Sequence, residues 1–185
     1  MLVAMAACGR QDTPPPEEDA LYRLECVYQT CPEDPLLILD TINIGVLSAR
    51  EQAHWCLMKA VLISDNKKYG PEFDSLLQVA KDQYIGSNDQ YHETMTYWLI
   101  ANKTTNLQQP QQGALDALLK ARKSIESCRH VDHRLVDFSP EPTDEKTIIE
   151  KLKYFILLEL GMTYGASIYI ADAIPPLKLA DAYFS

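Results

Sequence analysis

Cys128, His130, Asp132 and His133 lie within six residues, in the stretch CRHVDH. All four are metal-ligand types. His54 and Cys56, in HWC, could complete a site from a distant part of the chain. The spacing contains no CxxC pair and fits no zinc-ribbon or thioredoxin-like pattern. The surrounding CRHVDHRLVDFSPEPTDE has two prolines, mixed charge and no sustained period. That composition predicts a solvated insertion loop rather than a metal centre, and HWC is assigned to packing through Trp55 or Cys56. Asp40, Asp74, Asp82, Asp116 and Glu159 are plentiful carboxylates, but no two of them have a spacing that demands a shared catalytic face. Solvated helix surfaces account for them. There is no GxSxG nucleophile motif. The chain has only 7 glycines and no phosphate-cradling loop. It therefore reads as a non-enzyme, without metal or cofactor. An all-α metalloprotein or enzyme using the Cys128–His133 loop is the distant alternative.

The aromatic residues suggest binding instead. Tyr84, Tyr91, Tyr97, Trp98, Tyr164 and Tyr169 fall on or beside helical stretches. Tyr91, Tyr97, Asn102 and Lys103 could line a groove, with Asn102 and Lys103 fixing a peptide backbone or carboxylate. Trp98 and Tyr164 are assigned inward, to the core.

The whole composition narrows the partner. A net charge of -9 repels phosphate backbones, so nucleic acid is excluded. The basic KARK at 120–123 is too small to reverse that. The 185 residues, 46% of them hydrophobic, suffice for one domain with a proper core. No apolar run approaches the ~20 residues of a membrane-spanning helix. The cysteines are Cys8, Cys26, Cys31, Cys56 and Cys128. The last four could pair in an oxidising compartment, and the sequence leaves their state open. Cys8 has another reading. MLVAMAAC ends in small residues before the Cys and is similar to the end of a bacterial lipoprotein signal. That resemblance implies lipidation at Cys8 and a place in the cell envelope, periplasmic or surface-facing. A basic start is missing, and the apolar run from Leu2 to Ala7 is short. The following GRQDTPPPEEDA is polar and proline-stiffened, as a tether would be. Residues 1–17 thus form a signal remnant and tether, and residues 18–185 the folded domain.

That domain reads as all-α. EEDALYRLECVYQTC places Leu21, Leu24, Val27 and Tyr28 on one helical face. DPLLILDTI begins a short helix at Pro35. Ser48 caps a long one through Ala53, Leu57, Ala60 and Val61, and Tyr69-Gly70-Pro71 then breaks the chain. EFDSLLQVAKDQYI follows and closes at Gly86. Asn88 or Asp89 opens the next helix. Pro110 and Gly113 precede ALDALLKARKSIES. Thr143 or Asp144 caps a helix over 145–164 that is apolar on two sides and so belongs between neighbours. The last helix is expected to begin near Ala173 or Ile174, which keeps Pro175 and Pro176 in its first turn.

Seven positions near the end fall at a regular spacing: Leu157, Leu160, Gly161, Tyr164, Ala173, Leu177 and Ala180. Ala114, Leu118 and Ala121 repeat the last three, with Trp98 on the large-residue position. Leu57, Ala60, Phe73, Leu77 and Ala80 form a fainter unit. This resembles a degenerate tetratricopeptide repeat, in which a Gly lets two helices approach and Ala residues pack the hairpins. Leu157 and Leu177 stand where the family has aromatics, and the units are 41 and 59 residues apart against a family period of about 34. With the N-terminal features, the chain resembles repeat lipoproteins of Bacteroidetes-type bacteria. The resemblance implies a right-handed α-α superhelix that binds a protein or peptide as a non-enzymatic envelope scaffold. The alternative is the sensory domain of a longer envelope signalling protein. Leu177, Ala180, Tyr183 and Phe184 would leave an uncovered apolar face, so either more chain beyond Ser185 or self-association through the last helix is expected.

Overall fold

The computed structural model describes residues 35–106, 111–131, 144–165 and 170–184. The expectations for Cys8, the tether, Cys26, Cys31, the helix around Leu21, Asp132, His133, Thr143 and Tyr169 lie outside these residues. Seven α-helices follow one another: α1 (Pro35–Thr41), α2 (Ala49–Asp65), α3 (Pro71–Tyr84), α4 (Gln90–Asn106), α5 (Gln111–Ser127), α6 (Glu145–Gly165) and α7 (Ile170–Phe184). A 3-10 turn, Ile44–Val46, joins the first two, and the described residues include no strand. Each helix packs on the next in chain order, and α2 also packs on α4. Among the described residues no helix is long and apolar enough to cross a membrane.

Local chemistry sets the helix ends. Ser48 and Glu51 form a reciprocal capping box at the start of α2. Its far end is closed by Lys67, in the left-handed region at φ 55°. The Lys67 N–H reaches the Ser64 carbonyl at 2.9 Å, and the Lys68 N–H reaches the Ile63 carbonyl at 3.1 Å. This is the Schellman arrangement, here built on a Lys where Gly is usual. Pro71 occupies the first turn of α3, where its missing N–H costs nothing. Gly86, at φ 78°, reverses the chain after α3. Asp89 rather than Asn88 opens α4, and the Asp144 carboxylate accepts the Thr147 N–H at 3.0 Å to open α6.

Two expected boundaries are corrected. Gly113 does not precede α5 but lies within its first turn, where a β-carbon would make only ordinary contact with Thr104. The last helix begins at Ile170, so Pro175 and Pro176 sit inside it. Neither proline can donate to the carbonyl four residues back, so those of Ala171 and Asp172 lose their intrahelical donors. The helix nonetheless continues through both prolines and packs on α6.

One continuous core runs through the stack. Leu57 and Ala60 of α2, Phe73 and Ala80 of α3, and Leu99 of α4 are fully buried. Ala121 of α5 and Ile156 and Leu160 of α6 extend it. Each large side chain removed from water in this way stabilises by about 1.5–3 kcal/mol. α6 has neighbours on both sides, α5 and α7, which is why its apolar residues surround more than one face. Trp55 donates its indole N–H to the Leu39 carbonyl at 3.1 Å and so fastens α1 to α2. Lys59 lies over the Trp55 ring and bonds both Asp40 and Glu72 at 2.9 Å, tying α1, α2 and α3 together.

Candidate functional site

The densest buried chemistry lies where α2 and α4 begin and α3 ends. Glu51 is 3% exposed, and its Oε2 accepts the Ser48 N–H at 2.6 Å. Its Oε1 is buried and has no hydrogen-bond partner. One turn later stands His54, 1% exposed. At the start of α4, Asp89 accepts twice from His92: Oδ1 from the backbone N–H at 3.2 Å and Oδ2 from ring Nδ1 at 2.7 Å. His92 is also 1% exposed. Its ring stacks on Tyr84 at 4.9 Å and meets His54 edge-on at 5.3 Å and Tyr91 edge-on at 5.4 Å. With Nδ1 donating to Asp89, Nε2 carries the lone pair, and this nitrogen is buried without a hydrogen-bond partner.

Glu93 fixes the neighbouring turn. One oxygen accepts the Gly86 N–H at 2.8 Å and the other accepts the Ser124 hydroxyl at 2.5 Å. The turn before α4, α4 itself and α5 are thereby joined through a single carboxylate. Burial pushes Asp89 upward, but the His92 ring, the His92 N–H and Arg50 outweigh it and hold Asp89 below the usual carboxylate range. Burial, with Asp89 adding to it, pushes the Tyr84 phenol well above its ordinary value. Burial also raises the Cys56 and Cys128 thiols, so both stay protonated.

An Asp–His pair is acid–base machinery in principle. Here the free nitrogen of His92 faces the interior rather than a nucleophile, and the nearby thiols are protonated. The geometry is that of a buried polar layer. The described residues hold no group of three or more His, Cys, Asp or Glu side chains placed to bind a metal ion. Cys128 and His130 diverge: the Cys128 S–H donates to the His130 carbonyl at 3.4 Å, while the exposed His130 ring bonds Glu145 at 2.9 Å.

The four groove candidates do not form one surface. Tyr91 is 2% exposed and belongs to the core, which corrects its assignment to a groove wall. Tyr97 lies beneath Lys120 at 5.7 Å. Asn102 donates to Ser64 Oγ at 2.8 Å and bridges α4 to α2. Lys103 pairs with Asp74 of α3. Successive residues of a helix turn about 100°, so these four positions spread around α4 and each meets a different neighbour.

The residues of the repeat spacing sit as follows. Trp98 is buried and meets Phe155 of α6 at 5.5 Å. Ala114, Leu118 and Ala121 face the core, as do Leu157, Leu160, Gly161 and Ala180. Tyr164 is partly buried against that core. Leu177 is 36% exposed yet lies so close to Gly161 that a β-carbon there would overlap its side chain. Ala173 falls on α7, and its side chain is outside the described set. Among the surface carboxylates, Asp40 and Asp74 have lysine partners, and Asp82 and Asp116 accept from Gln78 and Gln112. Glu159 differs: it is partly buried, and burial alone raises its carboxyl.

Sequence reasoning missed Glu51 and His92, gave Asp89 only as a possible helix cap, and weighed His54 only as a distant metal ligand beside packing residues. One signal was present. EQAH at 51–54 and DQYH at 89–92 repeat an acid-Gln-X-His tetrapeptide 38 residues apart. Ser64 and Asn102, which bond each other, share the same separation. Comparison of the chain with protein-family models, curated proteins and solved structures finds no match.

Proposed function

We propose that the chain is a non-enzymatic scaffold: a right-handed, tetratricopeptide-like stack of helical hairpins that binds another protein chain through its last hairpin. Consecutive packing, with α2 also touching α4 across α3, is compatible with stacked hairpins. The observation that carries the binding role is the surface of α6 and α7. Met162, Ile174 and Leu179 are each about half exposed, and Leu177 is more than a third exposed. The other large exposed apolar residues, Leu37, Val46, Val79 and Leu119, are scattered over α3, α5 and the start of the described chain. Half of the large exposed apolar residues thus fall on this one hairpin, a concentration that favours contact with a partner, whereas scattered ones need no explanation. The envelope setting rests on the lipoprotein-like MAAC and the proline-rich tether alone. A second copy is the simplest partner to test. Light scattering over a concentration series should show mass growth that disappears in Ile174→Glu/Leu179→Lys. A monomer at every concentration, with no dependence on these residues, would remove self-association. A surface-probe dye equally bound by wild type and variant would remove the exposed face itself.

A further inference from the structure

We infer that the occupant of the exposed α7 face is a second copy of the chain, laid antiparallel so that Lys178 of each copy donates to the Ala171 carbonyl of the other. This contact rests on the reading of the last hairpin as a binding face. Two polar groups of α7 find no partner within one chain. Pro175 has no N–H, so the Ala171 carbonyl has no donor four residues on. Lys178 is exposed and joins no hydrogen bond or ion pair among the described residues. Helix geometry puts both groups on one stripe, since successive residues turn about 100°. Pro176 and Ala180 are buried, and Leu177 meets Gly161, which fixes the side turned to α6. Pro175 and Lys178, both exposed, lie on the opposite side. A helical carbonyl points along the axis toward the residue four positions on, so the Ala171 oxygen opens beside Pro175 on that outer side. Ile174 and Leu179, each about half exposed, flank it. Pro176 frees the Asp172 carbonyl as well, but toward the buried side of the helix.

This arrangement restricts what can cover the face. A partner that takes Ile174 and Leu179 out of water also takes the Ala171 carbonyl between them out of water. A buried carbonyl needs a donor, and a buried ammonium needs an acceptor. A purely apolar partner supplies neither, whereas a second copy supplies both. Lys178 stands seven residues after Ala171, about 10 Å along the axis. With a two-fold axis between Ile174 and Pro175, the antiparallel copy brings its Lys178 over Ala171 and its Ala171 under Lys178. The contact is self-complementary, as a two-fold interface must be. The charge on the donor makes each bond stronger than one between neutral groups.

Sedimentation equilibrium of the full chain tests the contact. Wild type should dimerise, and Lys178→Met, which keeps the length and loses the donor, should raise the dimer Kd about tenfold or more. Pro175→Ala gives the Ala171 carbonyl a donor within its own helix. It should raise the melting midpoint of the dilute monomer and yet weaken the dimer by a similar factor. Pro176→Ala lies on the buried side and should leave Kd within about twofold of wild type. The double variant Lys178→Met/Pro175→Ala should lose little more than either single one, because both changes remove the same bond. A wild-type dimer whose Kd both single variants match would overturn the contact and leave self-association through the last hairpin standing. Fully additive losses in the double variant would overturn it too. A wild type that stays monomeric at every concentration would remove self-association and this contact with it.

Discussion

Glu159 is a carboxylate whose surroundings suit its charge poorly. It lies on α6, and burial holds its carboxyl above the ordinary glutamate value. The sign follows from linkage. A carboxyl whose folded value is raised binds its proton longer in the folded state than in the unfolded one. Stability is therefore lost as pH rises from the unfolded value, about 4.3, through the raised one, and the loss is complete above it. Glu159→Gln should melt higher than wild type at pH 7, with the gain vanishing near pH 4. A melting difference that stays constant from pH 4 to 7 would show that charge burial is not the cause. The sequence placed Glu159 among solvated surface carboxylates because residue type alone cannot report which side of α6 it occupies. The same limit hid the histidines. The repeated acid-Gln-X-His tetrapeptide was visible, but only the packing of α2 on α4 brings the two rings into contact.

At the scale of elements, Gly161 and Leu177 set how closely α6 and α7 approach. Gly161 is buried, and its α-carbon faces the Leu177 side chain with no room for a methyl group. Gly161→Leu should destabilise by about 1–3 kcal/mol, as overpacked cores do. Leu177→Ala in the same chain should recover part of that loss, because it vacates the space the new side chain needs. Additive losses in a double-mutant cycle by chemical denaturation would show that the two do not share one contact. This close approach was legible in the sequence, because a Gly in an otherwise apolar helix has few other reasons to be there. So were most helix starts, since Ser48, Pro71 and Asp144 act through bonds to residues within one turn. The start of α7 was not legible. Local rules place two prolines in a first turn, whereas packing on α6 carries the helix a further turn back to Ile170. The detail of how α2 ends was not legible either: its left-handed residue is Lys67, and side-chain identity there gives no signal.

For the whole molecule, packing and strain point to an uneven distribution of stability. α2 touches α1, α3 and α4, begins in a capping box and ends in a Schellman arrangement. α7 packs on α6, contains two prolines and exposes Ile174 and Leu179. Local opening of a helix costs roughly the contacts and bonds it gives up, so α7 belongs at the low end of the range and α2 near the global value. Native-state hydrogen exchange at high dilution should show amides of α7 exchanging through a sub-global opening while those of α2 exchange only on full unfolding. Repeating the measurement at high concentration adds a link to the proposed binding face. If a second copy covers the exposed residues, protection in α7 should rise with concentration while α2 stays unchanged. The same low protection of α7 at both concentrations, with α2 far slower, would keep the gradient but reject the pairing. Equal protection of α2 and α7 at high dilution would reject the gradient itself, because a helix that leans on one neighbour and lacks two backbone donors could not then be held as firmly as the centre of the stack.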